Sequence, residues 1–313
     1  MSGEVNLLDE AARAGWLYYV AGMTQDQIAT ELGVSRQRAQ RLVSKAMAEG
    51  LVRVRLGHRI GRCLELETGL IQRFGLQQAR VAPDLGAGSD PARATAAAAA
   101  ALLESYLARP EPQTIAFGTG RALSAMVAEI ASAPNERHKI VSLIGNIAPD
   151  GSASFYDVIM RLADKLHAPH YPMPAPLISE TPEERALFHA LRPVQAVAQL
   201  AKEADVVFVG IGQMGDDAPL YKDGFVTRAQ LSEMQAKGAV GEIVGGVIDT
   251  AGGYIETPIS ALVGGVRVEP DRPVPVIGVA AGPTKIAAIR AALIGRIVNS
   301  LVTDEPTAAA LLA

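Results

Sequence analysis

The sequence is poor in cysteine, in aromatic residues and in long apolar runs. A single cysteine, Cys63, excludes an internal disulfide and a thiolate metal cluster. Aromatic residues make up only 4% of the chain, so its core must consist of Ala, Val, Leu and Ile, which suits helices packed closely on a buried sheet. No stretch reaches the roughly 18 apolar residues of a membrane span, and no apolar segment follows a basic N-terminus. We therefore expect a cytoplasmic protein that does not contact membranes.

Length and composition indicate two domains of unequal size. The chain has 313 residues, of which 49% are hydrophobic and 20% are charged. This composition is typical of globular proteins and excludes disordered or collagen-like chains. A length of 313 residues exceeds that of most single domains.

Charge is distributed unevenly along the chain, whose formal net charge is -4. Residues 34–59 contain seven Lys and Arg and one acidic residue, Glu49, whereas residues 61–313 contain 21 basic and 27 acidic residues. This contrast predicts a small polyanion-binding module attached to an acidic body.

The basic segment has the pattern of a helix-turn-helix. Thr24 and Gln27 have the spacing of a capping box at the start of one helix, and Gly33 predicts its end. Ser35 predicts the N-cap of a second helix that runs to about Glu49. Two short helices joined by a tight turn are typical of DNA-reading motifs.

The second helix has an apolar side and a polar, basic side. Arginine bonds bidentately to guanine, glutamine to adenine, and lysine or serine to phosphate. We predict that the DNA-binding residues are Ser35, Arg36, Gln37, Gln40, Arg41 and Lys45. The alternative is a solvated amphipathic helix with no nucleic-acid partner.

Two segments flank this motif. Residues 51–56 alternate apolar and basic side chains, which predicts a strand that serves as a wing touching the DNA backbone. Upstream, Trp16, Leu17, Tyr18, Tyr19 and Val20 are expected to form core contacts of a preceding helix, with an aromatic ligand pocket as the alternative.

From residue 79 onward, short apolar runs alternate with helical stretches. The predicted strands are 79–82, 114–117, 140–144, 206–211, 243–248, 276–280 and 297–302. The predicted helices are 64–74, 92–108, 121–132, 157–167, 193–203, 227–237 and 283–294. Alternation of this kind favours a parallel, Rossmann-like α/β sheet with helices on both faces.

Ligands of such sheets bind at the carboxyl ends of the strands, where loops meet helix N-termini. Three loops follow predicted strands, and we expect them to converge on one crevice. Their candidate residues are Gly118, Thr119, Gly120, Arg121, Asn146, Gly212 and Gln213. Ordinary turn geometry is the alternative for each loop.

Two further candidates lie near the C-terminus. Asp249 follows a predicted strand, and Lys285 occupies the first turn of a predicted helix, where a cation is unfavourable for the helix dipole. A hydroxyl-bearing or anionic ligand would compensate for that position. A surface lysine with no ligand is the alternative.

Taken in order, the motifs resemble the SorC family of bacterial sugar-binding transcriptional regulators. The similarity covers nearly the whole chain and rests on MTQ (23–25), IA (28–29), LGVSR (32–36), EGLV (49–52), FGTGRAL (117–123), VSLIGN (141–146), DVVFVGIG (205–212), GAVGEIVGGVID (238–249), AAGPTKIAAIRAAL (280–293) and LVTDE (301–305). The resemblance implies a helix-turn-helix domain over residues 1–57 and an effector-binding and oligomerisation domain over residues 58–313. This second domain is similar to sugar-phosphate isomerases and CoA transferases.

The resemblance also implies partners and residue roles. The partners are operator DNA, a small sugar, polyol or sugar phosphate, and further copies of the chain in a homodimer or homotetramer. Residues 118–121 would form an anion or hydroxyl loop, Asp249 would bond ligand hydroxyls, and Lys285 would close the pocket. Ala122 departs from the family, which often has a hydroxyl residue there, and so favours a free sugar or polyol.

An isomerase fused to a DNA-binding module is the rival interpretation. Asp249 or Glu242 would be the general base and Lys285 the electrophile. The sequence assembles no full catalytic set, and His167 and His170 flank Ala168 and Pro169 in poor geometry for a metal. We therefore predict a regulator, with no catalytic residues, no metal and no cofactor.

Overall fold

The computed structural model describes residues 2–52, 60–86, 88–148, 151–152, 156 and 158–313, with the side chains of residues 2–6 left aside. The chain divides into two compact units, Met1–Arg59 and Ile60–Ala313. The predicted boundary between residues 57 and 58, and residues 53–56 of the predicted wing, lie outside the described residues.

The first unit consists of three helices, α1 (Ser2–Tyr19), α2 (Gln25–Leu32) and α3 (Arg36–Ala48). The predicted capping box is present, since the Thr24 backbone N–H donates to Gln27 Oε1 at 2.8 Å and the Gln27 N–H donates to Thr24 Oγ1 at 3.3 Å. Gly33 ends α2 with φ of 64°, and Ser35 caps α3 by accepting from the Arg38 N–H at 3.2 Å. These local signals produce the predicted helix-turn-helix.

The core of this unit is small and mostly aliphatic. Its buried residues are Ala11, Ala14, Leu17, Ile28, Ala29, Ala39, Leu42, Val43 and Ala46. The prediction of core contacts for the aromatic end of α1 is correct only for Leu17. Trp16 is 56% exposed, and Tyr18, Tyr19 and Val20 are also exposed. They lie off the face of α1 that carries Ala11, Ala14 and Leu17 at a spacing of three residues.

The second unit is built on a seven-stranded parallel sheet with the order β1-β10-β9-β5-β2-β3-β4. Its strands are β1 (Gln78–Ala82), β2 (Thr114–Phe117), β3 (Lys139–Ile147), β4 (His170–Pro176), β5 (Val206–Gly210), β9 (Val276–Val279) and β10 (Ser300–Asp304). The predicted α/β class with parallel strands is confirmed. The strand predicted over residues 297–302 begins later, at Ser300, and ends at Asp304. Arg296 has φ of 53°, and the chain pairs with its neighbouring strands only from Ser300.

Helices cover both faces of this sheet. They are α4 (Gly61–Phe74), α5 (Pro91–Leu107), α6 (Arg121–Glu129), α7 (Val158–Leu166), α8 (Pro182–Ala190), α9 (Arg192–Lys202), α12 (Ile286–Ile294) and α13 (Glu305–Leu312). Successive strand residues point to opposite faces. Phe117 therefore packs with α5, α6 and α7, whereas Ala116 packs with α4, α9, α12 and α13. No helix in the described ranges is long and apolar enough to cross a membrane.

A second, three-stranded antiparallel sheet follows β5. It contains β6 (Gly212–Gln213), β7 (Gly241–Ile243) and β8 (Gly246–Ile248), with α10 (Pro219–Lys222) and α11 (Arg228–Ala236) between β6 and β7. The prediction of one strand over 243–248 is wrong. Val244 and Gly245 have φ of 51° and 76°, so the chain reverses in a two-residue hairpin within that apolar run.

Candidate functional site

A cavity of about 1100 Å³ opens at the carboxyl ends of β2, β3, β4, β5 and β9. These five strands are neighbours in the sheet, so the loops that follow them meet in one place. The polar and charged lining residues are Asp90, Thr95, Thr119, Arg121, Ser152, Tyr156, Asp223, Glu242, Thr284 and Lys285. The larger apolar ones are Ile144, Leu177, Ile178, Ile211, Leu220, Phe225, Val244 and Val263.

The loop after β2 leads into α6 at Arg121. Gly120 has φ of 116°, a conformation that favours glycine, and it precedes the first residue of the helix. Arg121 Nη2 lies 2.8 Å from Asp223 Oδ1, and the Tyr156 hydroxyl donates to Asp223 Oδ2 at 2.9 Å. Burial raises the pKa of Tyr156, and its hydrogen bond to Asp223 adds to that shift. Arg121 therefore already has an anionic partner within the cavity wall.

Glu242 enters the cavity from β7. One of its carboxylate oxygens, Oε1, accepts a hydrogen bond from the Gly245 backbone N–H. Gly212 lies directly opposite in the β6–β7 register, and a Cβ there would lie 2.8 Å from Glu242 Oε2. Burial raises the pKa of Glu242, while the Gly245 hydrogen bond and the charge of Lys285 oppose that shift.

Lys285 reaches the cavity from the short 3₁₀ turn Pro283–Lys285 that follows β9 and precedes α12. Burial lowers the pKa of its ammonium and Arg121 lowers it further, whereas Glu242 and Asp90 raise it. Within the described ranges, no carboxylate lies within 4.0 Å of the Lys285 ammonium and none of its three N–H donors is engaged. The Thr119 and Thr284 hydroxyls likewise have no hydrogen-bond partner among the described residues. The cavity therefore presents free donors beside acidic acceptors.

The exposed side of α3 carries the predicted DNA-reading residues. Ser35, Arg36, Gln37, Gln40 and Arg41 are exposed, and Lys45 is partly buried. Acidic residues pair with the neighbouring cations, as Arg36 lies 3.3 Å from Asp26, Arg38 2.8 Å from Glu10 and Lys45 2.9 Å from Glu49. Arg41 has no carboxylate within 4.0 Å among the described side chains, and its Nε donates to the Gln37 carbonyl at 3.4 Å.

Comparisons with known proteins agree with this arrangement. Residues 58–313 match the Sugar-bind family of sugar-binding domains, and residues 14–59 match the MarR family. The chain is 34% identical to the erythritol catabolism regulatory protein EryD of Brucella abortus, over 96% of each chain. It is 33% identical to the transcriptional regulator LsrR of an Enterobacter species, over 96% of this chain and 92% of that one. The chain belongs to the SorC family of sugar-binding transcriptional regulators.

A solved full-length structure is also similar to nearly the whole chain. The full-length sorbitol operon regulator SorC from Klebsiella pneumoniae has a TM-score of 0.74 and 28% identity, covering 97% of this chain and 98% of that chain. As a SorC-family member, the protein is a DNA-binding transcriptional regulator with an effector-binding domain.

Six of the nine predicted effector residues line the cavity of this SorC-family domain: Gly118, Thr119, Gly120, Arg121, Gly212 and Lys285. Asn146, Gln213 and Asp249 are not among the lining residues. Gln213 donates to Asp217 Oδ1 at 2.8 Å, and Asp249 Oδ1 accepts from the backbone N–H groups of Ala251 and Gly253, both at 2.9 Å. The contacts of Gln213 and Asp249 hold local turns, and a direct role of the three residues in effector binding stays a prediction.

Seven charged or polar lining residues escaped the sequence-based prediction of effector contacts: Asp90, Thr95, Ser152, Tyr156, Asp223, Glu242 and Thr284. Asp90 is the N-cap of α5, where it accepts from the Ala92 N–H at 2.9 Å, and Ser-Asp-Pro before an alanine-rich stretch signals that cap. Glu242 was considered only as a catalytic base. Tyr156 and Asp223 lie in connecting segments, and no motif in the sequence points to either.

Proposed function

We propose that the cavity at the carboxyl edge of the parallel sheet is the effector site and that a small polyhydroxy compound binds there. One observation supports this proposal above all. The Lys285 ammonium and the Thr119 and Thr284 hydroxyls have no partner among the described residues, and they line the same cavity as the Glu242 carboxylate. Each hydroxyl of a sugar or polyol both donates and accepts hydrogen bonds, so such a ligand satisfies both kinds of group. The relative EryD is named for erythritol catabolism, which agrees with this class.

We further propose that α3 lies in the major groove of operator DNA. The guanidinium of Arg41 supports this role, because it has no carboxylate partner among the described side chains and pairing with bases or phosphates would supply anionic or acceptor partners. We propose that the protein acts in the cytoplasm as a homodimer or homotetramer. A two-fold pair of such helices would read two DNA half-sites that lie about one helical turn, or a multiple of one turn, apart. Effector binding must then favour one DNA-binding state over another, since only differential affinity shifts such an equilibrium.

One titration tests both sites. Binding of a promoter fragment from the chain's own locus is measured by fluorescence anisotropy, with and without a panel of sugars, polyols and their monophosphates. Arg41→Ala should weaken DNA binding by about tenfold and leave effector binding intact. Lys285→Met should leave DNA binding intact and abolish the effector response.

Matched controls keep the charge changes equal. Arg13→Ala removes an exposed cation from α1, and Lys237→Met removes one that pairs with Glu233 at 3.0 Å and is not among the residues that line the cavity. If both controls behave like the test variants, the site assignments are wrong. If the wild-type chain ignores promoter DNA and every compound, the proposed function is wrong.

We propose that the cavity performs no catalysis. The isomerase alternative has one observation in its favour, because Glu242 and Lys285 face the same cavity as a base and a cation would. The other predicted base, Asp249, instead supports a turn. Incubation of purified protein with sugar phosphates, followed by product analysis against a no-protein blank, should show no turnover.

A further inference from the structure

The described lining of the cavity carries more acidic than basic groups. Asp90, Asp223 and Glu242 are acidic, whereas Arg121 and Lys285 are the basic residues among the described lining. The neighbouring residues that the structure leaves undescribed, 149–150, 153–155 and 157, include no Lys or Arg in the sequence. They therefore have no side-chain cation to add to the cavity.

Asp223 already binds the one guanidinium in this lining. Its Oδ1 lies 2.8 Å from Arg121 Nη2 and its Oδ2 accepts from the Tyr156 hydroxyl at 2.9 Å. The Asp223 side chain is 23% exposed and that of Arg121 is 56% exposed, so the carboxylate is the more enclosed partner. A phosphate group that approached Arg121 would have to displace this carboxylate or lie beside it, and like charges at that separation repel.

The N-terminus of α6 would favour a phosphate at this position, since helix N-termini attract anions. That attraction corresponds to about half an elementary charge. The Asp223 carboxylate already offsets the charge of Arg121 at 2.8 Å, so the guanidinium beside this helix end offers a phosphate little net attraction. The residue that follows Arg121 in the first turn of α6 is Ala122, which has no hydroxyl to donate to a phosphate.

An uncharged ligand meets no such repulsion. Hydroxyl groups can donate to Glu242 Oε2, the oxygen that does not accept from Gly245, and accept from the Lys285 ammonium. We propose that the effector is an unphosphorylated polyol or free sugar, and that Asp223 excludes phosphorylated compounds by occupying the anion position at Arg121. This inference rests on the proposed effector site and names the ligand class that the site selects.

The test compares unphosphorylated and phosphorylated forms of the same ligand. Dissociation constants are measured by isothermal titration calorimetry of the full chain. The ligands are four- to six-carbon polyols and sugars, their monophosphates, and inorganic phosphate as a bare anion. The wild-type chain should bind at least one unphosphorylated compound at least about tenfold more tightly than its monophosphate, and should not respond to inorganic phosphate. Asp223→Asn should raise the affinity for the monophosphate by about tenfold, because one negative charge leaves the side of Arg121.

Asp217→Asn is the matched control. Asp217 belongs to the same connecting segment and pairs with Lys222 at 3.1 Å, but it is not a lining residue. Its substitution removes the same charge and should leave monophosphate affinity unchanged. Asp223→Ala is the second test variant and should show the same gain as Asp223→Asn, with melting temperature and far-UV circular dichroism confirming that each variant is folded.

The outcomes separate this inference from the proposed function. A wild-type chain that prefers the monophosphate overturns the role of Asp223 while leaving the effector site in place. Equal gains in the Asp223 and Asp217 variants, or no gain in a folded Asp223 variant, also overturn it. If no compound binds the wild-type chain, the effector site itself is wrong.

Discussion

At the scale of single residues, Gly212 shows how a missing side chain creates room for a functional one. Gly212 pairs with Glu242 across β6 and β7, and a methyl group there would approach Glu242 Oε2 to 2.8 Å. Such a contact is too close, so the carboxylate would have to move. The atom displaced would be Glu242 Oε2, which we propose contacts the effector.

Gly212→Ala is therefore expected to lower effector affinity by about tenfold, the loss that corresponds to about 1.4 kcal/mol for one hydrogen bond to a charged group. Isothermal titration with the polyol or sugar that binds the wild-type chain measures this loss. Gly61→Ala serves as the control, because a Cβ at Gly61 meets nothing within 4 Å and the residue begins α4 away from the cavity lining. Unchanged affinity in Gly212→Ala would mean that Glu242 does not contact the effector.

Asp249 illustrates why residue roles were harder to predict than residue positions. An aspartate after an apolar run has the pattern of a ligand at a strand end. The same aspartate three and four residues before glycines has the pattern of a turn cap. The structure shows the second arrangement, with Ala251 and Gly253 donating to Oδ1. Lys285 had an equally ambiguous pattern, yet it lines the cavity.

At the scale of elements, the capping box of α2 is the strongest local signal in the chain. Thr24→Ala removes the side-chain acceptor of the Gln27 N–H, so the first unit should lose about 1 kcal/mol of unfolding free energy. The chain has a single tryptophan, Trp16, which lies in this unit, so a tryptophan fluorescence change during urea denaturation is assigned to the first unit. A lower urea midpoint is expected.

Thr30→Ala provides a control within the same helix. The Thr30 hydroxyl donates to the Asp26 carbonyl at 3.0 Å in the body of α2, and alanine is the better helix former there. This variant should be as stable as the wild-type chain or more so. A Thr24→Ala variant that unfolds at the wild-type urea concentration would show that the cap contributes nothing to stability.

Elements with strong local signals were predicted closely, and the others were not. The predicted strand 114–117 and the predicted starts of several helices agree with the structure, because apolar periodicity and caps are local properties. Strand β4 was missed because its sequence, HYPMPAP, contains three prolines, which a sheet tolerates at the edge position that β4 occupies. Helix α8 was missed because it has no buried residue and hence no apolar stripe.

At the scale of the whole molecule, chain topology assembles the cavity. The loops after β2, β5 and β9 converge because these strands are neighbours in the sheet. The alternation of strands and helices predicted convergence of the loops after β2, β3 and β5, although Asn146 in the loop after β3 is not a lining residue. Tyr156 and Asp223 come from segments that connect distant elements, and their meeting with Arg121 depends on the tertiary path of the chain. Local patterns contain no information on such a path.

The uneven charge of the two parts of the chain predicts that salt concentration weakens DNA binding much more than effector binding. Residues 34–59 have seven basic residues and one acidic residue, whereas residues 61–313 have more acids than bases. DNA binding releases counterions, so the logarithm of its association constant should fall with the logarithm of salt concentration, by about 0.9 for each phosphate contacted. Arg41→Ala should reduce that slope by about one for each DNA-bound copy of the helix.

Binding of an uncharged effector releases no counterions, so its affinity should change by less than about twofold between 50 and 200 mM KCl, the range in which DNA affinity falls by orders of magnitude. Isothermal titration with the effector and anisotropy with promoter DNA, both across this salt range, make the comparison. An effector affinity that falls steeply with salt would contradict the prediction, since only an anionic ligand competes with salt for Arg121 and Lys285.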